Sequence, residues 1–84
     1  MMAVTHPLTS LHETLVHYFA AAASMDEVQR AVLQRGHQLD ARGRSGAPII
    51  ADIKAVARAA ARKTSVEIDE PTWQSMLAPL EIFF

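Results

Sequence analysis

The strongest helical pattern in the chain lies in residues 47–63, APIIADIKAVARAAARK. Its apolar residues recur at three- and four-residue steps, which place side chains on one face of an α-helix. Pro48 suits the first helical turn, and the basic pair Arg62 and Lys63 suits the negative end of the helix dipole. The stretch therefore predicts a helix ending near Lys63 that other helices must cover. Its predicted inner face consists of Ile49, Ile50, Ile53, Val56, Ala57 and Ala60.

A first helix is predicted near the N-terminus. Ser10 and Glu13 have the three-residue spacing of a capping box, and Pro7 would suit an earlier start. We therefore expect the helix to begin between Pro7 and Leu11. Its apolar stripe would comprise Leu8, Leu11, Leu15, Phe19 and Ala22.

A second helix is predicted from Met25, because Ser24 and Glu27 repeat the capping-box spacing. Its end is open to two interpretations. Gly36 either caps the C-terminus in a left-handed conformation or lies within a helix that continues toward Arg42. The following residues 41–47, ARGRSGA, have the composition of a loop.

The C-terminal third predicts a shorter helix. Residues 65–69 alternate polar and apolar types, which is typical of a short strand or an extended linker. Pro71 would then open a fourth helix, with Asp69 or Glu70 near its cap, and Pro79 would end it. The predicted fold is all-α: one domain over residues 1–84, with three main helices and a short fourth packed as a small bundle.

Composition restricts both the core and the chemistry. The chain has 84 residues, and fifteen of its hydrophobic residues are alanines, so it can bury few large side chains. Association with a second copy or another protein would bury more apolar surface. The absence of cysteine excludes disulfides, thiolate metal sites and cysteine nucleophiles. The N-terminus lacks the pattern of a signal peptide and no apolar run is long enough to span a bilayer, so we expect a cytoplasmic protein without a membrane partner.

Positive charge is concentrated in the middle of the chain. All eight basic residues lie between Arg30 and Lys63, where two acids reduce the net charge to +6, whereas the flanks carry −3 and −4. Lys54, Arg58 and Arg62 repeat every four residues, so they should project from one side of the third helix. Three interpretations are open: a solvated face, a face that binds an acidic partner, or a face paired with the chain's own acids, Glu67, Asp69 and Glu70.

Nucleic-acid binding is the alternative function that this charge suggests. Net charge of −1, scarce exposed aromatics and the lack of Asn or Gln at recognition positions argue against DNA. A helix-turn-helix would need a shorter connection than Gly36 to Ala47 unless the second helix extends. The residues that would contact nucleic acid are Arg42, Arg44, Lys54, Arg58, Arg62 and Lys63.

Metal binding and catalysis find little support in the sequence. Glu13 and His17 are spaced so that they could place two metal ligands on one helix face, but a surface acid–histidine pair explains the spacing more simply. A metal ion would also need a further ligand from elsewhere in the chain, such as His6, His12 or His37. The glycine-rich residues 43–46 could receive an anion, although a flexible connection is the simpler interpretation. We expect neither an enzyme nor a cofactor or metal.

The last twelve residues carry a dense apolar patch that is either ordinary core or a docking surface. We expect a non-enzymatic interaction module, such as a regulator, adaptor, inhibitor or secretion chaperone. Its partner would be an unidentified protein or a second copy of the chain. The patch comprises Trp73, Met76, Leu77, Leu80, Ile82, Phe83 and Phe84. Apart from Ile82, these form the predicted partner-binding set together with Lys54, Arg58 and Arg62.

Overall fold

The computed structural model describes residues 10–44 and 46–83, and within them it confirms the all-α prediction. The predictions concerning His6, Pro7, Leu8, Ser45 and Phe84 lie outside the described residues. The structure consists of α1 (Leu11–Phe19), α2 (Met25–Ala41), α3 (Ala47–Thr64), α4 (Glu70–Leu77) and a closing 3-10 helix (Ala78–Phe83).

Three helix starts follow from local sequence. At each start a side-chain oxygen accepts a hydrogen bond from the backbone N–H three residues later, which satisfies a donor that has no partner within the helix. The starts predicted from Ser10 and Ser24 are therefore confirmed, as is an Asp69 cap before α4. The bonds run from Glu13 N to Ser10 Oγ (3.1 Å), from Glu27 N to Ser24 Oγ (3.2 Å) and from Thr72 N to Asp69 Oδ1 (3.0 Å).

Gly36 lies inside α2, which continues to Ala41, so the second interpretation of its role holds. A glycine suits this position because the C-terminal segment approaches the backbone of α2 closely here. A Cβ on Gly36 would lie 2.6 Å from Cε2 of Phe83 and 3.1 Å from Cδ2 of Leu80. The glycine therefore costs helix propensity but lets the end of the chain pack against α2.

The core forms where α1, α2 and α3 meet, and α4 with the 3-10 helix covers it by packing on α2. A half-buried ion pair also ties α2 to α3. Arg35 donates through Nε to Oδ1 of Asp52 and through Nη2 to Oδ2 at 3.2 Å. The largest fully buried side chains are Leu15, Val28, Val32, Ile49, Ile53, Met76 and Leu80.

Residues 66–69 are an extended linker without strand pairing, which is one of the two predicted alternatives. The prediction that Pro79 ends the fourth helix is confirmed, because α4 ends at Leu77 with Ala78 as its cap, but the chain then winds on as a 3-10 helix that was not predicted. Proline lacks the N–H that would bond the carbonyl four residues earlier, which belongs to Ser75. Gln29 of α2 donates a hydrogen bond through Nε2 to that carbonyl at 2.7 Å, so the carbonyl still has a partner and α2 is joined to α4.

Candidate functional site

The 3-10 helix distributes the C-terminal residues over different faces. With three residues per turn, side chains three positions apart point the same way. Leu80 and Phe83 face inward, whereas Ala78 and Glu81 line a surface groove. Ile82 points outward and is 64% exposed. This segment is therefore part core and part surface.

The predicted apolar docking patch is corrected accordingly. Met76 and Leu80 are 0% and 1% exposed, so they belong to the core of this subunit and do not offer a surface to a partner. The Phe83 ring packs against α2, where it lies 5.2 Å from the His37 ring in an edge-to-face arrangement. Trp73 and Leu77 are half-buried, so they remain available to a partner.

Trp73 brings together the two features that the sequence presented separately. It projects from α4 beneath the side chains of α3, where Lys54 Nζ lies 6.0 Å and Arg58 Cζ 5.7 Å from the indole centroid. These distances lie within the range of cation–π attraction. The basic stripe and the C-terminal aromatic residue thus form one site.

An open groove of about 570 Å³ runs beside Trp73, between α3 on one side and α4 with the 3-10 helix on the other. Lys54 and Arg58 form its basic wall. Glu70 at the start of α4 and Glu81 in the 3-10 helix lie on the opposite wall. We call this the Trp73 groove; its remaining lining residues are Gln74, Leu77 and Ala78.

A second groove, of about 320 Å³, lies on another side of Trp73. Arg58 borders both grooves, and Arg62 borders the second. The indole is therefore half-buried but accessible from two directions. The other lining residues are Ala61, Val66, Glu67 and Ile68.

The cations of α3 form no ion pair with any acid that the structure describes. Across residues 10–44 and 46–83, the pair between Arg35 and Asp52 is the single ion pair within 4.0 Å. The basic stripe therefore forms no ion pair with Glu67, Asp69 or Glu70, which was one of the three interpretations of this face. The charges of the stripe remain available to a partner.

Among the described residues, Arg35 and Asp69 have shifted pKa values. The hydrogen bond to Asp52 raises the pKa of Arg35, with partial burial acting in the opposite direction. The pKa of Asp69 lies below its usual value. The largest cause is a hydrogen bond from the Thr72 side chain, and the next is a hydrogen bond from the Thr72 backbone N–H. Both shifts reflect structural contacts outside the walls of the Trp73 groove.

The predicted nucleic-acid contacts do not form one cluster. Arg42 and Arg44 lie before α3, whereas Lys63 lies at its other end, and an 18-residue helix is about 27 Å long. Lys63 also lies nine positions after Lys54, about half a turn around the helix axis. Only Lys54, Arg58 and Arg62 share a face. The continuation of α2 to Ala41 does shorten the connection to residues 42–46, which weakens the length objection to a helix-turn-helix.

The described residues do not assemble the metal site considered from the sequence. Glu13 and His17 are both exposed on α1. Among the described residues, no group of three or more His, Cys, Asp or Glu side chains is arranged to hold a metal ion. Likewise, none of the helices in the described ranges is long and apolar enough to cross a membrane.

Glu70 and Glu81 are site residues that sequence reasoning missed. Glu70 was considered as a helix cap and as an acid that could pair with the basic stripe, but not as part of a groove, and Glu81 faces the groove because of a 3-10 helix that was not predicted. Searches among protein families, curated proteins and solved structures find nothing similar to this chain.

Proposed function

We propose that this chain is a small non-enzymatic protein-interaction module that binds its partner at the Trp73 groove. The observation that carries the proposal is the half-buried indole of Trp73, with Lys54 and Arg58 over its ring and open grooves beside it. Tryptophan and arginine are the residue types that most often dominate binding energy at protein interfaces.

Binding would combine burial of apolar surface with orientation by charge. A partner side chain in the groove would cover Trp73 and Leu77 and remove their remaining apolar surface from water. Lys54, Arg58 and Arg62 would attract acidic groups of the partner and set its orientation. Such a mechanism suits a regulator, adaptor or inhibitor that acts by presenting a surface.

Quantitative affinity capture from a native extract tests the proposal if groove variants are compared with a control variant outside the groove. Arg58→Glu and Trp73→Ala change the groove, whereas Arg42→Glu makes the same charge change at an exposed position that does not line either groove beside Trp73. We expect a partner that the native chain and Arg42→Glu both retain and that the two groove variants lose. Circular dichroism would establish that all four proteins keep their helices. Equal capture by all four proteins would contradict the proposal.

Nucleic-acid binding is the second candidate, because an accessible indole beside cations is also a platform on which a base can stack. Glu70 and Glu81 oppose it, since they would repel phosphates. Titration with single- and double-stranded oligonucleotides of mixed sequence distinguishes the candidates. Affinity that falls steeply with salt and disappears in Arg58→Glu/Arg62→Glu would favour nucleic acid. Absence of binding at low salt would eliminate this candidate.

A further inference from the structure

The charge pattern of the Trp73 groove restricts the kind of partner it fits. Lys54 and Arg58 lie on one wall, and Glu70 and Glu81 lie on the other. None of these four side chains forms an ion pair across the groove among the described residues. A uniformly acidic partner would be attracted by one wall and repelled by the other. The groove therefore suits a partner surface that carries both signs of charge in the opposite order.

We propose that a second copy of this chain covers the groove in a two-fold symmetric dimer, with the walls of the two grooves in contact. The inference rests on the proposed function, because it uses the same surface and identifies the partner. A two-fold axis along the groove places the basic wall of each copy on the acidic wall of the other. Trp73 and Leu77 of both copies then lie near the centre of the contact. An isologous interface requires such self-complementarity.

The dimensions of the subunit are compatible with this interface. A standard interface buries about 800 Å² on each partner, roughly one-sixth of the 5093 Å² that this subunit exposes. The surface around Trp73 combines an aromatic residue, a leucine and charges of both signs, so it offers both apolar contact and orientation.

A charge-swap experiment tests the dimer. The variant Lys54→Glu/Arg58→Glu makes both walls acidic, and Glu70→Lys/Glu81→Lys makes both walls basic. We expect the native chain to sediment at twice its 9.2 kDa mass. Each variant alone should dimerise at least about tenfold more weakly, because like charges would face each other. A 1:1 mixture of the two variants should recover the dimer, since every wall then meets its opposite.

Folding and pairing can be separated by the choice of variants. Glu70 lies in the first turn of α4, where a lysine opposes the helix dipole. The single changes Arg58→Glu and Glu81→Lys therefore form a second swap pair, with circular dichroism as the check on helix content. A native chain that remains monomeric at high concentration would overturn the dimer proposal, as would a failure of both mixtures to recover the dimer.

The dimer and the proposed function fail in different ways. If the native chain is monomeric but captures another protein through Trp73 and Arg58, the interaction module stands and the dimer proposal is wrong. If the charge-swapped mixture dimerises and capture yields no further protein, the partner is the chain itself.

Discussion

Phe83 and Trp73 both belong to the last twelve residues, but they meet the helical bundle in different ways. Phe83 lies against α2 where Gly36 offers no side chain, so ring and backbone are in direct contact. Trp73 meets α3 where Lys54 and Arg58 extend over its ring, and grooves remain open beside it. The residues of the facing helix therefore decide how far each aromatic side chain is enclosed. Gly36 lets Phe83 pack directly on α2, whereas the long side chains of Lys54 and Arg58 leave grooves open beside Trp73.

We expect the largest effect on the free energy of unfolding from a substitution on the inner face of the 3-10 helix, compared with one on its outer face. Leu80→Ala should destabilise the protein by about 2–5 kcal/mol, because it leaves a cavity at a position that is 1% exposed. Ile82→Ala, two positions away and 64% exposed, should change stability by no more than about 0.5 kcal/mol. Urea unfolding followed by circular dichroism measures both. Similar losses for the two variants would contradict the assignment of these faces.

Replacing Trp73 should have a smaller effect on stability than on binding. Trp73→Ala removes a half-buried ring and two cation–π contacts, so we expect a loss of about 1–2 kcal/mol. The same urea measurement tests this value, with Trp73→Phe as a control that keeps an aromatic ring. A loss as large as that of Leu80→Ala would show that Trp73 is a core residue and that the groove is incidental.

The close contact between Gly36 and Phe83 predicts non-additive substitutions. Gly36→Ala should gain up to about 1 kcal/mol from helix propensity, but the new methyl group must displace the ring of Phe83, which offsets the gain. In a Phe83→Ala background the ring is gone, so most of the gain should appear. A double-mutant cycle in urea measures this coupling. Equal effects of Gly36→Ala in both backgrounds would rule out the contact.

The smallest effect concerns the cap before α4. The pKa of Asp69 is lower in the folded state than its ordinary value of 3.8. At pH values above 3.8 the ionised carboxylate therefore stabilises the folded state. This stabilisation is lost as the pH falls through the lower pKa of the folded state. Asp69→Asn keeps a capping oxygen that does not titrate in this range. We therefore expect the melting temperature of the variant to fall less steeply below pH 4. Parallel curves for the two proteins would refute the role of the charged cap.

Local features of the fold could be predicted from sequence, whereas the site could not. The caps at Ser10 and Ser24 depend on a partner three residues away, so the sequence contains their whole cause. At Pro79, by contrast, the carbonyl that proline leaves without a helical partner accepts a hydrogen bond from Gln29, which is distant in sequence, so no local pattern announces this contact.

The same distinction explains the site. Sequence spacing identified the basic stripe and the apolar patch but contained no signal that would place Trp73 beneath Lys54 and Arg58. That arrangement arises because α3 and α4 both pack on α2 and leave a gap between them. Burial of Met76 and Leu80 follows from the same packing of α4 and the 3-10 helix, which spacing within one segment does not specify.

Trp73 is the one tryptophan in the sequence, and the structure puts it at the place where we expect a partner to bind. Its intrinsic fluorescence therefore reports on a single environment without an attached dye. Dilution that separates two copies, or addition of another ligand to the groove, would change the polarity around one indole and shift its emission. The protein thus carries its own optical sensor for the occupancy of this surface.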